Sequence, residues 1–176
     1  MTERRAADRR LVIMRHAKAA YPLGVPDHER PLAARGHAEA PLAGAWLLDH
    51  QVIPDFILCS TALRTRQTCT WVCDALGSLA PTPKLEDDLY DGGPSRMLSL
   101  INHVPHTVTS LLVISHLPTV QDVVMHLASR ESDQAAYLEA AERFPTSAMA
   151  VFDLGNTPWA ELDGQDARLS DFVVPR

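Results

Sequence analysis

Three things are scarce in this sequence: cysteine, an excess of positive charge, and long apolar runs. Its 176 residues include three cysteines, and the formal net charge is -6. A small, odd number of cysteines argues against a disulfide framework, and an acidic balance argues against general binding to nucleic acid or anionic membranes. No apolar run approaches the roughly 18 residues of a membrane-spanning helix. We therefore expect a cytoplasmic protein with no nucleic-acid partner and no membrane partner.

The composition is that of one globular domain. Hydrophobic residues make up 46% of the chain and charged residues 22%, which is ordinary for a folded soluble protein. A chain of this length can enclose a core without metals or disulfides. We expect a single domain over residues 1–176, with its core over residues 10–154 and edge segments after it.

The most informative stretch is LVIMRHA, residues 11–17. Four bulky apolar residues bounded by charge predict a short buried strand, with Arg15 and His16 where that strand leaves the sheet. Open parallel sheets bind ligands at the carboxyl ends of their strands. A guanidinium can donate two hydrogen bonds to a phosphate while a neutral imidazole attacks phosphorus, so this pair suits phosphate chemistry.

The same arrangement returns twice along the chain. The strand predicted at Asp55–Ser60 leads into a helix that carries Arg64 in its first turn, and the strand at Ser110–Ser115 leads directly into His116. Because the carboxyl ends of parallel strands meet at one edge of a sheet, these side chains are expected to converge. The pattern predicts an α/β protein, a three-layer α/β/α sandwich with a mostly parallel central sheet. The residues expected at its phosphate site are Arg15, His16, Arg64 and His116.

The other elements are less informative for chemistry. Further helices are predicted at Ala38–His50, where Pro41 either begins or kinks the helix, at Ser95–Asn102, at Val120–Leu127 and at Gln134–Arg143. Strands are predicted at Lys84–Leu85 and Ser147–Leu154, with strands or edge segments at Trp159–Leu162 and Leu169–Val174. The long loop at residues 17–35 supplies candidate rim residues, which are Lys18, Asp27, His28, Arg30 and Arg35.

Three motifs together resemble those of the histidine phosphatase superfamily. They are RHA at Arg15–Ala17, STALRTRQT at Ser60–Thr68 and VISH at Val113–His116. The resemblance runs from about Leu11 to Leu154; each motif is weak alone, but the combination is specific.

Within that superfamily the chain looks most like the small SixA-type phosphohistidine phosphatases. It has alanine after the Arg-His pair, an aspartate at position 27 followed by Arg30–Leu32, and the Arg35–Gly36 pair. It also has no room for the large insertion that covers the active site in the acid phosphatase branch. That branch places an aspartate after the late histidine, where this chain has Leu117.

The resemblance implies a phosphoglycerate mutase-like fold and a phosphatase that needs no cofactor. It implies that His16 is the nucleophile and becomes phosphorylated, and that Arg15, Arg64 and His116 hold the phosphoryl group. Related enzymes carry a proton-donating carboxylate after the helix that contains the second arginine, here Arg64. Asp88 is the expected donor, with Asp87 and Asp91 as alternatives. Lys18 and Arg30 are the additional residues expected to bind substrate.

Two other functions stay open from the sequence. One is a phosphotransferase like phosphoglycerate mutase, and the other is a module that binds phosphorylated ligands without turnover. A metal site is not expected, because the eight histidines show no HExxH or comparable spacing. Phosphohistidine protein and small phosphate esters are the expected substrates; the sequence leaves open the physiological one and the oligomeric state.

Overall fold

A single six-stranded sheet organises the structure, a computed structural model that describes residues 8–176. The first seven residues of the predicted domain lie outside that range. The spatial order of the strands is β3-β2-β4-β1-β5-β6. The first four strands pair in parallel, whereas β5 and β6 are antiparallel to their neighbours. The strands are β1 Arg9–Arg15, β2 Phe56–Ser60, β3 Lys84–Glu86, β4 Ser110–Ser115, β5 Met149–Gly155 and β6 Arg168–Val173.

Within residues 8–176, five of the six helices follow the predicted positions, and the remaining one, a single turn at Asp88–Asp91, is not predicted by the sequence. The helices are α1 Ala34–Asp49, α2 Leu63–Leu76, α3 Asp88–Asp91, α4 Gly93–Asn102, α5 Thr119–Leu127 and α6 Gln134–Glu142. Helix α1 begins at Ala34 rather than Ala38, so Pro41 lies inside it. The strand or edge segment predicted at Trp159–Leu162 is wrong: Trp159–Glu161 forms a 3₁₀ turn. Pro158 precedes that turn, and the buried indole of Trp159 donates to Val108 O at 2.8 Å.

Alternation along the strands divides the core between the two faces of the sheet. Leu11 and Ile13 point into one apolar cluster, and Val12 and Met14 into the other. Side chains of α4, α5 and α6 pack in the first cluster, and those of α1 and α2 in the second. This confirms the three-layer arrangement, since each face of a central sheet must be covered by helices. Buried residues continue past residue 154, with Trp159, Leu162 and Leu169 in the first cluster.

The three cysteines are free thiols. Cys59 and Cys69 are buried in the second cluster, and Cys73 is half-buried with its Sγ 4.0 Å from that of Cys69. Over residues 8–176, no three or more His, Cys, Asp or Glu side chains are grouped so that they could hold a metal ion. None of the helices in this range is both long enough and apolar enough to cross a membrane.

The carboxyl ends of the central strands lie side by side at one edge of the sheet. Strands β1 and β4 pair from Arg10 opposite Ser110 to Arg15 opposite Ser115. Helix α1 approaches this edge so closely that a Cβ on Gly36 would lie 2.2 Å from the carbonyl oxygen of Lys18. Only glycine fits at that contact.

Candidate active site

A small cavity of about 130 Å³ opens at the carboxyl ends of the parallel strands. Parallel sheets of this kind bind ligands at this edge. Four of its lining residues are those expected at a phosphate site, and they come from three separate strand-to-helix junctions. The complete lining is Arg15, His16, Lys18, Ala19, Tyr21, Arg30, Arg64, His116, Leu117 and Thr146.

His16 is held as a neutral imidazole with a defined proton position. Its Nδ1 lies 2.7 Å from Ala17 O, and because a carbonyl oxygen can only accept, Nδ1 carries the proton. Nε2 is therefore the nitrogen with a free electron pair. Burial lowers the pKa of His16 to about 3, and the nearby His116, Arg64 and Arg15 add to this shift against the hydrogen bond to Ala17. The ring is uncharged at neutral pH, mainly because it is buried.

His116 faces His16 across the cavity, with ring centroids 5.1 Å apart. Its Nε2 lies 2.7 Å from the Oγ of Ser60, the last residue of β2. Its Nδ1 is buried and has no hydrogen-bond partner among the described residues. Burial and the Arg64 charge lower the pKa of His116 to about 4, so this ring is also neutral near pH 7.

Arg15 supplies the first guanidinium of the cavity. Its Nη1 donates to Phe144 O at 3.0 Å, which fixes the side chain against the segment before β5. Its Nε is buried and, within the described part of the chain, lacks an acceptor. Two residues that line one cavity, Arg15 and His116, thus each carry a buried nitrogen without a protein partner.

Arg64 supplies the second guanidinium, and Asp27 fixes its position. Arg64 Nη1 donates to Asp27 O at 2.7 Å and Nη2 donates to Asp27 Oδ2 at 3.1 Å. The same carboxylate accepts from the Tyr90 hydroxyl at 2.7 Å and from Arg30 Nη1 at 3.0 Å. These bonds, that of Tyr90 first, hold the pKa of Asp27 well below its usual range. Asp27 is therefore a fixed anion that orients Arg64.

The motif residues after Arg64 attach its helix to the neighbouring loops. Thr68 Oγ1 accepts from the backbone N–H of Ala17 at 3.0 Å and donates to Arg64 O at 2.7 Å. Gln67 Oε1 accepts from the N–H of Leu32 at 2.7 Å. The spacing of the motif thus places α2 against both the nucleophile loop and the long loop.

The predicted substrate residues Lys18 and Arg30 do lie on the cavity rim. The Arg30 guanidinium lies over the Tyr21 ring at 3.6 Å from its centroid, and the Lys18 ammonium lies 5.8 Å from the same centroid. Tyr21 is 75% exposed. The rim is therefore cationic and carries one accessible aromatic ring.

Comparisons with known proteins match most of the chain to histidine phosphatases. The profile of the histidine phosphatase superfamily (branch 1) matches residues 11–91. An uncharacterized protein of Mycobacterium tuberculosis, Rv1276c, is 44% identical over 93% of this chain and 100% of its own length. The phosphohistidine phosphatase SixA of Escherichia coli is 34% identical over 81% of this chain and 83% of that protein. The chain belongs to the histidine phosphatase superfamily.

The solved structures place it in the SixA-type branch with a phosphoglycerate mutase-like fold. A SixA-type structure from Nakamurella multipartitia is 33% identical and superposes with a TM-score of 0.84 over 97% of this chain and 98% of that one. The resemblance of the three sequence motifs to this histidine phosphatase branch is confirmed.

The acidic side chains expected to donate a proton in a histidine phosphatase do not line the cavity. Asp88 Oδ1 accepts from Arg96 Nη1 at 3.1 Å, and Asp87 Oδ1 accepts from the Thr61 hydroxyl at 2.7 Å. Asp91 is exposed and also lies outside the cavity lining. The short helix α3 sets the direction of these side chains, and the acidic run alone could not reveal it.

Sequence reasoning gave no role to Glu39, a buried carboxylate on α1. Arg35 Nε and Arg176 Nη1 donate to its Oε1 at 2.7 and 3.1 Å. The hydroxyls of Thr146 and Ser147 donate to its Oε2 at 3.2 and 3.4 Å. Because Thr146 lines the cavity, Glu39 fixes one wall of the histidine phosphatase site. The signal in the sequence that could have indicated this role is the charge of Glu39 on a helix face that is otherwise apolar.

Proposed function

We propose that this protein is a phosphatase in which His16 is the nucleophile and becomes phosphorylated. The observation that carries the proposal is the pair of buried nitrogens, Arg15 Nε and His116 Nδ1, beside a neutral imidazole. Buried polar groups without partners are uncommon in native proteins and need an explanation. A phosphoryl group bound in this cavity would offer an acceptor to Arg15 Nε and, where Nδ1 carries the ring proton, to His116.

The reaction proceeds in two displacements. The free electron pair of His16 Nε2 attacks phosphorus, so that the P–N bond to His16 forms while the bond to the leaving group breaks. Arg15, Arg64 and His116 donate to the equatorial oxygens and stabilise the charge spread over them. Water then attacks the phosphohistidine, the bond to His16 breaks, and inorganic phosphate leaves. The two displacements need only these protein groups and water.

Phosphohistidine in a protein is the substrate that fits this arrangement best. The cavity of about 130 Å³ holds a phosphoryl group, and the rest of the substrate would lie on the rim formed by Lys18, Tyr21 and Arg30. A leaving imidazole can carry its own proton, so it depends less on a protein acid than an alkoxide does. This accords with the absence of Asp87, Asp88 and Asp91 from the cavity lining. Small phosphate esters with good leaving groups are the secondary substrates.

Hydrolysis measured on two substrates tests the proposal. Wild-type protein should release inorganic phosphate from a phosphohistidine protein, and from an aryl phosphate more slowly, whereas His16→Ala should release it from neither. Phosphate binding without release from any donor would instead indicate a binding module. Transfer of the phosphoryl group to an added phosphoglycerate in preference to water would indicate a mutase-like phosphotransferase.

A further inference from the structure

We infer that Ser60 is a positioning residue that keeps the proton of the His116 ring on Nδ1, from which it is donated to the phosphoryl group. The inference rests on the proposed function and assigns to Ser60 a role in that same site. Ser60 does not touch the reacting atoms, so it acts only through His116.

The contact is buried and short. Ser60 is fully buried at the end of β2, and His116 follows directly after β4, the strand that pairs with β2. The Ser60 Oγ lies 2.7 Å from His116 Nε2. The two strand ends thus place one hydroxyl against one of the two ring nitrogens.

The direction of this hydrogen bond decides what the other nitrogen can do. A neutral imidazole carries one proton, so one nitrogen donates and the other accepts. If Nε2 donated to Ser60, the buried hydroxyl proton would have no other acceptor within the described part of the chain, and Nδ1 would present an electron pair to anionic oxygens. If Ser60 donates to Nε2, the proton of the ring lies on Nδ1. This nitrogen has no hydrogen-bond partner among the described residues.

The surroundings of Ser60 favour the second arrangement. Its Oγ accepts a long hydrogen bond of 3.4 Å from the N–H of Ala62, which leaves the hydroxyl proton for Nε2. His116 is neutral for a physical reason, since burial and the Arg64 charge both disfavour its cation. The ring therefore depends on its partner, rather than on a second proton, to become a donor at Nδ1.

The two histidines then use their rings in opposite ways. His16 donates from Nδ1 to a carbonyl oxygen and keeps an electron pair on Nε2 for attack. His116 accepts at Nε2 from a hydroxyl and keeps a proton on Nδ1 for the phosphate. One backbone carbonyl and one serine set these two complementary states.

The direct test is the proton position of His116 in protein labelled with ¹⁵N-histidine, read from the ring nitrogen signals by NMR at neutral pH. In wild-type protein, Nδ1 of His116 should give the signal of a protonated nitrogen and Nε2 that of an unprotonated one. Ser60→Ala should lose this preference and weaken the binding of inorganic phosphate. It should also lower kcat/KM by about 10- to 100-fold, the scale known for partners that orient metal-bound histidines.

Ser115→Ala is the matched control, because Ser115 is equally buried at the end of the neighbouring strand and donates to Leu89 O at 2.7 Å instead. It should keep the wild-type proton position on His116 and bind phosphate like wild type. Ser60→Thr, which retains a hydroxyl, should preserve activity better than Ser60→Ala.

Two results would overturn the inference: a proton on Nε2 of His116 in wild-type protein, or a Ser60→Ala variant with unchanged proton position and phosphate affinity. If Ser60→Ala does not fold, the wild-type spectrum alone decides. If Nδ1 is protonated in wild-type protein and Ser60→Ala loses both this preference and phosphate affinity, while no phosphorylated substrate is hydrolysed, the proposed function fails and the positioning role of Ser60 stands. If the protein hydrolyses phosphorylated substrates but the proton of the His116 ring lies on Nε2, the proposed function stands and the inference about Ser60 fails.

Discussion

At the scale of single residues, Asp27 fixes the orientation of the Arg64 guanidinium, which lines the cavity. Its carboxylate and its carbonyl oxygen both accept from the Arg64 guanidinium. Asp27→Asn removes the charge that fixes this geometry and should lower kcat/KM by about 10-fold or more, since a hydrogen bond between charged groups contributes about 1.5–3 kcal/mol. Steady-state hydrolysis of a phosphohistidine protein measures the effect.

Asp88→Asn is the control for that experiment. The Asp88 carboxylate pairs with Arg96 outside the cavity, so its loss should leave kcat/KM close to the wild-type value. A loss with Asp88→Asn that equals or exceeds that of Asp27→Asn would contradict this assignment and would restore Asp88 as the proton donor.

Arg64 itself should contribute far more than a neighbouring arginine on the same helix. Arg64→Ala removes a donor to the developing charge, and kcat should fall by about 10²- to 10³-fold, as for the loss of one oxyanion donor. Arg66 makes a convenient control because its Nε donates to Thr61 O and it does not line the cavity. An equal fall in kcat for Arg66→Ala and Arg64→Ala would count against the proposal that Arg64 donates to the phosphoryl oxygens.

The positions of Arg15, His16, Arg64 and His116 could be predicted because each lies at or just after the end of a buried strand. An apolar run fixes where a strand ends, and parallel strands end at one edge. The direction of the Asp88 carboxylate could not be predicted in this way. It depends on a one-turn helix and on Arg96, and neither leaves a periodic pattern in the sequence.

At the scale of elements, the segment before β5 forms one wall of the site and is anchored to α1. Phe144 O accepts from Arg15, and the N–H of Ser147 donates to His16 O at 3.2 Å. Ser147 adopts a φ of 65°, in the left-handed region. Because Glu39 accepts the hydroxyls of Thr146 and Ser147, it stabilises this unusual conformation from behind.

Glu39→Ala should therefore weaken both folding and catalysis. The free energy of unfolding should fall by about 2 kcal/mol, on the scale of lost hydrogen bonds to a charged group, and kcat should fall because the cavity wall is released. Urea denaturation and steady-state kinetics measure the two effects. Glu142→Ala, an exposed position at the end of α6, should change neither, and an equal effect there would refute the anchoring role.

The late start predicted for α1 and the strand or edge segment predicted at Trp159–Leu162 are wrong for local reasons. Pro41 indicated a helix start or a kink, but α1 extends seven residues before it, from Ala34 to Ala40. The strand or edge segment predicted at Trp159–Leu162 is wrong, although Trp159 and Leu162 are buried. The indole hydrogen bond to Val108 O and the preceding proline, both features of tertiary packing and chain geometry, give a 3₁₀ turn instead.

At the scale of the whole molecule, the two site histidines couple stability to pH. Both have pKa values, about 3 for His16 and about 4 for His116, below the ordinary value of 6.5. As pH falls below about 6.5, the unfolded chain binds protons that the folded chain does not. Each histidine should then lower the free energy of unfolding by about 1.4 kcal/mol per pH unit, until the folded rings titrate.

Variants that lack one histidine separate the histidine contribution to the pH dependence of stability from the contribution of the carboxylates. His16→Gln and His116→Gln should each lose less stability than wild type between pH 6.5 and pH 4.5, as measured by urea denaturation at a series of pH values. Parallel stability curves for wild type and both variants would show that the two rings are not buried in neutral form.

The charge of the whole chain contrasts with the charge of its site. The net charge is -6, whereas Arg15, Lys18, Arg30 and Arg64 all line one small cavity. Such a local concentration of cations would let a chain with a net negative charge hold a phosphate group.

Identification of the phosphorylated residue tests the central claim most directly. The protein should be mixed with a phosphohistidine protein, quenched rapidly under alkaline conditions that preserve phosphohistidine, digested, and analysed by mass spectrometry. We predict a phosphoryl group on His16 of wild-type protein that is acid-labile and absent from His16→Ala. A phosphoryl group on another residue, or labelling of His16→Ala equal to that of wild type, would contradict the account.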